Sequence, residues 1–277
     1  MKNLRYALRR IALSQVVAIA AILFLAAPFV LVIGASFDPG GGYQVHFPPR
    51  TFSLAPYEQI PAKYLQALAV SATVGGIVAI AATVLGLAAA LGIVRSRLVG
   101  KEWLQAFFRL PVQIPAVVTG AVFLQFYYQV AALLELNLMN GLAGLVIAHL
   151  FVSLTYSVGA ISSVLVRIDA SIEEAAQSLG ASNWSTFFQV TFPMLRPGLV
   201  AGMFYAFIMS FGDVPIAIFL VNANTMTLPV QIFQDMQFDF QPSMLAISTI
   251  VALLSLTLIL GIQKIGGLDL VMSSNRK

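Results

Sequence analysis

The stretch YLQALAVSATVGGIVAIAATVLGLAAALGIV, residues 64–94, contains no Asp, Glu, Lys or Arg. A helix needs about 20 apolar residues to cross the hydrocarbon core of a bilayer, and this stretch exceeds that length. Its apolar residues follow one another without the alternation of a barrel strand, so that every face of the segment is hydrophobic. The stretch therefore predicts a transmembrane helix.

Five further apolar runs of this kind flank the stretch on both sides. A single run also fits the core helix of a soluble protein, but six runs in one chain of 277 residues do not. Only 9% of the residues are charged, 59% are hydrophobic and the mean hydropathy is +0.90, which excludes a soluble enzyme and a disordered chain. We expect an all-α membrane protein, a single transmembrane domain over residues 1–277 with spans at about 11–37, 64–94, 110–134, 136–166, 196–221 and 240–263.

The positions of the basic residues predict the orientation of the spans. Lys and Arg favour the cytoplasmic ends of transmembrane helices. Of the 15 Lys and Arg residues, all but Arg50 and Lys63 fall on one side when the six spans are threaded through a bilayer. The first run has the basic start of a signal peptide, but its apolar part is too long for one, and we expect it to be retained. We therefore expect both termini in the cytoplasm.

Residue types that carry enzyme chemistry are scarce in this sequence. The chain has no Cys and only two His, His46 and His149, which lie far apart. Disulfides, thiolate metal sites and cysteine nucleophiles are therefore excluded, and we expect no metal site. The chain also lacks the Gly-rich phosphate-binding sequence that ends in Gly-Lys-Ser/Thr. We expect a chain without catalytic residues, without a cofactor of its own and without a nucleic-acid partner.

Residues 167–195 separate the fourth and fifth runs on the basic side, and they are too numerous for a simple connection. Ser171 is placed to cap a helix, and Glu173 and Glu174 fall in the first turn, where negative charge favours the helix dipole. Gly180 fits the glycine that ends a helix with a left-handed backbone. The segment thus predicts a short helix between Ser171 and Gly180.

A second short helix follows in the same segment. We expect it to begin near Ser182 and to stop at Pro193. It carries an aromatic face that includes Trp184 and Phe188. Two interpretations are open for the pair of helices: they cover the inner face of the helical bundle, or they form a docking surface for a cytoplasmic partner.

Asp213 is the one acidic residue well inside a predicted span, and a charge inside a membrane is costly. It either lines a substrate pathway, where a carboxylate suits a cationic substrate, or has a structural role, in which it caps a helix that is broken near Pro215 or bonds to a neighbouring helix. Gln125 and Tyr128 of the third span are further pathway candidates, although tyrosines equally form belts at the membrane interface. For His149 we favour a hydrogen-bonded packing role.

The segment 167–195 also contains a motif that resembles one in the permease subunits of bacterial ABC importers. In that family, Glu-Ala-Ala is followed by three residues, Gly, nine residues, an aliphatic residue, one residue, Leu and Pro. The matching residues here, at the same spacing throughout, are Glu174-Ala175-Ala176, Gly180, Val190, Phe192 and Pro193. Val190 and Phe192 stand where the family usually has Ile and Leu, and both keep the apolar character.

Within this family the chain is most similar to the second permease of spermidine/putrescine importers. The similarity rests on Ser210-Phe211-Gly212-Asp213, on Thr227-Leu228-Pro229 and on residues 52–57. It implies a polyamine or a related small cationic solute as substrate. Relatives of that group carry ferric iron, thiamine, opines, phosphonates or sulfate, and these remain alternatives. An ion-coupled secondary transporter is a more distant alternative, because it would call for an internal repeat and several intramembrane charges.

The resemblance implies the transmembrane fold of a type I ABC importer, in which this chain forms half of the translocation pathway in the bacterial inner membrane. It implies three partners: a second permease subunit, a dimer of ATP-binding subunits that holds the ATP and Mg²⁺, and an extracytoplasmic substrate-binding protein. Segment 167–195 would be the coupling region, and the residues expected to dock the ATPase are Glu173, Glu174, Ala175, Ala176, Gly180, Val190 and Pro193. The residues expected along the pathway are Asp213, Phe211, Gln125 and Tyr128.

Overall fold

A computed structural model describes residues 2–40, 46–96, 99–238 and 240–265, and these residues form helices and connecting segments without strands. Arg97, Arg276 and Lys277, which contributed to the predicted orientation, lie outside the described residues. The chain divides into two compact units. One comprises the described residues of Met1–Ala62 and Asp235–Thr257, and the other those of Lys63–Gln234 and Leu258–Lys277.

The helices in chain order are α1 (Lys2–Ala35), α2 (Ala55–Glu58), α3 (Ala62–Arg95), α4 (Lys101–Gln113), α5 (Ala116–Leu134), α6 (Leu142–Leu165), α7 (Ala170–Ser178), α8 (Asn183–Thr186), α9 (Phe192–Phe211), α10 (Leu228–Phe238) and α11 (Pro242–Ile265). Two 3₁₀ turns, Leu138–Asn140 and Ala217–Phe219, and one π turn, Phe187–Thr191, lie between them.

In the first unit, Asp38 organises the segment that follows α1. Its carboxylate accepts hydrogen bonds from the N–H of Gly40 at 2.9 Å and from the N–H of Arg50 at 3.2 Å. These two bonds hold the pKa of Asp38 below its usual value. The Tyr57 hydroxyl of α2 lies 2.6 Å from the Ser36 hydroxyl, which ties α2 to the end of α1.

In the second unit, α3, α5, α6 and α9 supply the packed interior. One buried cluster joins α3, α5 and α6 to the residues that follow α9; it consists of Val74, Val78, Tyr127, Leu145, Ala148, Ile216, Ala217, Leu220 and Val230. A second cluster lies at the opposite end of α3 and α6; it consists of Ala90, Ile161, Leu165, Ile168 and Leu195. Because small residues let the helices approach closely, a Cβ atom on Gly86 of α3 would lie only 2.7 Å from the Ser157 hydroxyl oxygen of α6.

The third predicted span, residues 110–134, is two helices rather than one. α4 ends at Gln113, Ile114 is extended with φ −83° and ψ 132°, and α5 begins at Ala116. The break follows from Pro115, because proline forces the residue before it out of the helical region and has no N–H to donate. The prediction of one continuous span was therefore wrong here.

The helix of the fourth span is shorter than its apolar run, and that of the fifth span is displaced toward the N-terminus relative to its run. Of the run 136–166, only Leu142–Leu165 is helical, because the Asn137 side chain accepts from the Met139 N–H and starts a 3₁₀ turn. Of the run 196–221, helix α9 covers the part up to Phe211; it is followed by non-helical residues from Gly212 and then by the 3₁₀ turn Ala217–Phe219. Apolar residues continue past both helix ends, which is why hydropathy alone placed these boundaries too far out.

Five described helical segments are long and apolar enough to cross a membrane. They are Gln15–Ala35, Ala62–Arg95, Ala116–Leu134, Leu142–Leu165 and Asn183–Phe211. The sixth predicted span, 240–263, corresponds to α11. Among the residues whose side chains are described, its apolar part is Pro242–Thr257, which is too short to cross a membrane by itself.

Candidate functional site

The residues between α6 and α9 form α7, α8 and the π turn, which we term the α7–α8 unit (residues 169–191). Asp169 caps the start of α7, where its carboxylate accepts from the Ser171 N–H at 2.9 Å. The expectation that Ser171 is the cap was wrong, because the chain is already helical at Ala170 and the carboxylate before it reaches the free amides. The backbone N–H and the hydroxyl of Ser171 hold the pKa of Asp169 below its usual value.

Gly180 ends α7, as predicted. Its φ is +93°, its N–H donates to the Gln177 carbonyl at 2.9 Å, and the Ala181 N–H donates to the Ala176 carbonyl at 3.1 Å. This pair of bonds is the Schellman arrangement, which satisfies the last carbonyls of a helix. An L side chain in that backbone conformation costs roughly 1–2 kcal/mol, so the turn favours glycine.

The second short helix begins as predicted but does not stop at Pro193. The Ser182 hydroxyl accepts from the Ser185 N–H at 3.2 Å and caps α8. The chain then stays helical without a break from Asn183 to Phe211. Pro193 lies in the first turn of α9, directly after the π turn Phe187–Thr191. Pro193 has no N–H to donate to the preceding turn. Because the wider π turn changes the backbone hydrogen bonds at this point, the helix continues past the proline.

The two carboxylates of α7 face different ways, a difference that adjacent positions in the sequence do not reveal. Glu174 and Ala175 are exposed, whereas Glu173 and Ala176 are half-buried. Val190 and Pro193, the other expected docking residues, are also half-buried. Successive residues of a helix point about 100° apart, so only one of two adjacent carboxylates can point outward fully.

Large apolar side chains stand exposed on the α7–α8 unit. Leu179 is 90% exposed, Trp184 73% and Phe188 57%. The rings of Trp184 and Phe188 stack, with centroids 5.9 Å apart and planes inclined by 15°. The unit lies beyond the ends of α6 and α9, where the surroundings are water rather than lipid tails if α6 and α9 span the membrane, and an exposed apolar patch in water marks a contact surface.

Arg95, the last residue of α3, binds the inner face of the α7–α8 unit. Its Nη2 donates to the Glu173 Oε1 at 3.1 Å and to the Ile168 carbonyl at 3.0 Å. The Thr191 hydroxyl donates to the same Oε1 at 3.1 Å. From sequence, Arg95 counted only as one of the basic residues that indicate orientation. Its position at the end of an apolar run was a signal, but its partner lies 78 positions away in the chain.

A second group of polar side chains lies where α9 ends against α6; we term His149, Ser210 and Asp213 the polar cluster. The Asp213 Oδ1 accepts from the N–H groups of Ile216 at 3.0 Å and Ala217 at 2.8 Å, which caps the 3₁₀ turn that follows α9. The expected structural role of Asp213, as a cap near a broken helix, is thus present in the fold.

The His149 side chain of the polar cluster is buried, and its Nδ1 lies 2.9 Å from the Ser210 hydroxyl. This bond is the packing interaction predicted for His149. Its Nε2 has no hydrogen-bond partner in the described part of the structure and points toward the Asp213 Oδ1, 3.7 Å away. That separation is too long for a hydrogen bond, so the carboxylate and the imidazole are neighbours without a direct bond.

The polar cluster borders a cavity of about 360 Å³ between α4, α5, α6 and the end of α9. Asp213 is the acidic residue of its lining, and Gln113, Ser153 and Tyr156 add further polar atoms. A larger cavity of about 690 Å³ shares Tyr156 and Met209 with it and is lined also by Arg109 and Arg167. The two cavities are therefore neighbours, with a carboxylate in one and two guanidinium groups in the other.

The other predicted pathway residues do not join Asp213 at this cavity. Gln125 and Tyr128 lie on an exposed face of α5, whereas their neighbour Tyr127 is buried and donates to the Gly144 carbonyl at 2.7 Å. Phe211 is half-buried and stacks on Phe207 at 5.5 Å. Among the described residues, no three His, Asp or Glu side chains lie close enough to hold a metal ion.

Comparison with known families gives one extended match. Residues 82–265 match the family described as binding-protein-dependent transport system inner membrane component. The putrescine transport system permease protein PotI of Escherichia coli K12 is 32% identical over 188 residues, which cover 68% of this chain and 67% of PotI. A probable sulfate transport system permease protein cysT of Chlorokybus atmophyticus is 35% identical over 187 residues, covering 64% of this chain and 65% of that protein.

Two solved structures share the fold at low sequence identity. A bacterial ABC transporter involved in the import of the acidic polysaccharide alginate superposes with a TM-score of 0.73 at 13% identity, covering 95% of this chain and 98% of that chain. An amino acid ABC transporter superposes with a TM-score of 0.53 at 18% identity, covering 79% and 98%. The chain therefore belongs to the family of binding-protein-dependent transport system inner membrane components, the permease subunits of ABC transporters, and it has the all-helical type I importer fold.

Proposed function

We propose that this chain forms half of the translocation pathway of an ABC importer and docks a separate ATPase through the α7–α8 unit. The observation that carries the proposal is the apolar surface of Leu179, Trp184 and Phe188 on a unit in which α7 is capped at both ends and α8 is capped at its start. A unit with capped helix ends that still exposes large apolar side chains to water is suited to bind a partner. Glu174, exposed beside this surface, supplies a charge for a basic group of that partner.

The remaining partners follow from the family and from the energy source. The proposed assembly contains a second permease subunit, an extracytoplasmic substrate-binding protein and two ATP-binding subunits, which hold ATP and Mg²⁺. Both termini of this chain and the α7–α8 unit lie on the cytoplasmic side of the inner membrane in this proposal, supported by the distribution of Lys and Arg. Movement of the docked ATPases then reaches α6 and α9, which the α7–α8 unit connects.

We place the substrate pathway of this chain at the two neighbouring cavities. Asp213 and Tyr156 border the smaller one, and Arg109 and Arg167 border the larger one. Asp213 uses Oδ1 as a cap, and this leaves Oδ2 for a second partner. A fixed carboxylate at a membrane cavity stabilises a cation there more strongly than it would in water.

The proposed substrate is a small organic cation such as putrescine or spermidine. The carboxylate of Asp213 at the smaller cavity and the similarity to PotI support this choice. Sulfate is the second candidate, because the cysT relative is similar to about the same degree and because Arg109 and Arg167 border the larger cavity. The two candidate substrates have opposite charges. Neutralising Asp213 should therefore affect a cation, and neutralising Arg109 or Arg167 should affect sulfate.

The test is purification of the chain from its native membrane with whatever subunits accompany it, followed by reconstitution into liposomes. ATP hydrolysis and uptake are measured with putrescine, spermidine and sulfate, each with its binding protein. Asp213→Asn keeps an oxygen for the cap and removes the charge, and we expect it to lower polyamine uptake by about tenfold, an ordinary loss for one charged contact. Matched variants Arg109→Gln and Arg167→Gln would lower sulfate uptake instead if sulfate is the substrate.

Each possible result bears on one part of the proposal. Co-purification of an ATP-binding subunit and ATP-dependent uptake support the importer assignment. Stimulation by sulfate but not by polyamines would contradict the cationic substrate alone. Uptake by the purified chain without ATP would contradict the docking role and favour an ion-coupled secondary transporter.

A further inference from the structure

We propose that Arg95 is a positioning residue that couples the α7–α8 unit directly to α3. The group of Arg95, Glu173, Thr191 and the Ile168 carbonyl, which we term the Arg95 clasp, makes this connection. The proposal rests on the proposed docking function. The chain itself connects the α7–α8 unit to α6 and α9, and the clasp adds α3 as a third helix.

The hydrogen bonds of the Arg95 clasp join three segments at one oxygen. Glu173 Oε1 accepts from Arg95 at the end of α3 and from Thr191 in the π turn before α9, both at 3.1 Å. The same Arg95 nitrogen also donates to the carbonyl of Ile168, whose side chain is buried in the core cluster of α3, α6 and α9. One guanidinium thus ties α7 to the rigid end of the helical core.

The Arg95 clasp is shielded enough to hold its geometry. The side chain of Arg95 is 23% exposed and that of Glu173 is 18% exposed, and Thr191 is buried. Ion pairs on an open surface contribute little, whereas shielded and hydrogen-bonded charges fix their partners in place. Arg95 also ends α3, where a cation complements the partial negative charge of the helix terminus.

The neighbouring carboxylates of α7 then have separate tasks. Glu173 is used within the chain by the Arg95 clasp, whereas Glu174 points in a different direction and is exposed. A docked partner that moves Glu174 and Leu179 would therefore move a helix that Glu173 bonds to Arg95 of α3. Without the clasp, α7 would keep its chain connections and the bond of Gln177 to Asn183 at the start of α8, but this pair would no longer bond it to α3.

The experiment compares Arg95→Gln, Glu173→Gln and the charge exchange Arg95→Glu with Glu173→Arg in the complete importer in liposomes. Arg196→Gln is the matched control, because Arg196 is an exposed arginine of α9 outside the clasp. The readout is the number of substrate molecules imported per ATP hydrolysed, with the amount of bound ATPase measured in parallel. We expect Arg95→Gln and Glu173→Gln to retain the ATPase and to lower this ratio by about fivefold or more, within the range usual for coupled sites.

Rescue separates coupling from a loss of folding. The exchanged pair should recover at least part of the ratio that each single charge reversal loses, because one positive and one negative group again face each other with their positions exchanged. A ratio within about twofold of the wild type in Arg95→Gln, or an exchanged pair no better than either single reversal, would overturn the proposal. Absence of the ATPase from the wild-type preparation would contradict the docking function instead, which keeps the two failures distinct.

A second readout does not depend on transport. The chain has no cysteine, so spin labels at Gly92→Cys in α3 and Gln177→Cys in α7 report one distance in the assembled importer. A Cβ atom on Gly92 would meet open space and Gln177 is exposed, so both positions tolerate the label. Arg95→Gln and the neutral Thr191→Val should broaden the distance distribution, and Arg196→Gln should not. An unchanged distribution in both clasp variants would overturn the proposal even if one variant assembles poorly.

Discussion

The α7–α8 unit and the polar cluster use their polar groups in opposite ways. In the α7–α8 unit, Asp169 and Ser182 bind amides two or three positions along the chain, and the large apolar side chains face outward. In the polar cluster, His149 binds Ser210 from another helix, 61 positions away, and both are buried. The caps of the first region are local and leave its apolar surface exposed, whereas the His149–Ser210 bond of the second depends on helix packing and is buried between helices.

This difference changes what an exposed apolar residue means. Phe24 of α1 is 78% exposed and Leu179 of the α7–α8 unit is 90% exposed. For Phe24, inside a predicted span, lipid is the expected neighbour and no protein partner is needed. For Leu179, beyond the end of the spans, exposure to water is unfavourable until a protein covers it. High exposure of an apolar side chain therefore indicates a binding surface in the α7–α8 unit and ordinary membrane contact in α1.

The largest effect is expected from Gly180→Val, which breaks the local bonding of the α7–α8 unit. A β-branched residue at φ +93° is strained, and the Schellman bonds of Gly180 and Ala181 would be lost. We expect ATPase binding to fall by about a hundredfold, measured by co-purification and by titration of the ATPase onto the reconstituted permease. Gly92→Val is the control, because Gly92 lies in a regular helix with open space around it. Wild-type ATPase binding in Gly180→Val would show that the turn is not needed for docking.

In the membrane region, the second largest effect is expected from Gly120→Ala. A Cβ atom there would lie 2.7 Å from the Phe219 ring and 3.0 Å from the Ile216 Cα, in the turn that Asp213 caps. Overpacking of this kind costs about 1–3 kcal/mol. Thermal unfolding in detergent should occur several degrees lower than in wild type, whereas Gly76→Ala, with open space at its Cβ, should unfold like wild type. Equal stability of the two variants would mean that α5 and the turn are not closely packed.

The caps of the α7–α8 unit were largely predictable from sequence because they are local. Gly180 and Ser182 act where the sequence placed them, since each bonds residues within a few positions. The cap of α7 shifted from Ser171 to Asp169 because two cap formers lie two positions apart and sequence does not decide which one the backbone uses. The break before α5 also had a local signal in Pro115, which the apolar run 110–134 concealed.

The tertiary contacts could not be predicted in the same way. Hydropathy did not indicate which of Tyr127 and Tyr128 faces inward, and Tyr127 is the buried one. The partner of Arg95 lies 78 positions away in the chain, and the two residues meet only because α3 ends beside the first turn of α7. Periodicity sets the helices, but the packing of small residues such as Gly86 against Ser157 sets which faces meet.

A smaller effect is expected from Leu179→Ser, which removes apolar surface of the α7–α8 unit and leaves its caps intact. Leu179 is 90% exposed, so that the stability of the isolated permease should not change. Burial of a leucine side chain at an interface contributes about 1.5–3 kcal/mol, so ATPase binding should weaken by about tenfold or somewhat more. Val99→Ser, at an equally exposed apolar residue before α4, is the control. Unchanged binding in Leu179→Ser would remove this side chain from the docking surface.

The smallest effect is expected from Ser210→Ala, which takes one bond from the polar cluster. The hydroxyl lies 2.9 Å from the buried His149 Nδ1, and its loss leaves that nitrogen without this partner. Hydrogen bonds between membrane helices contribute on average about 0.6 kcal/mol, so we expect a fall in unfolding temperature of only a degree or two. Ser163→Ala, at an exposed serine of the same helix as His149, should have no effect.

ATPase binding should be unchanged in both variants, because neither touches the α7–α8 unit. A loss of ATPase binding in Ser210→Ala without a loss of stability would show that the two regions are energetically linked, and the contrast between a locally built unit and a packed cluster would then no longer describe two independent parts.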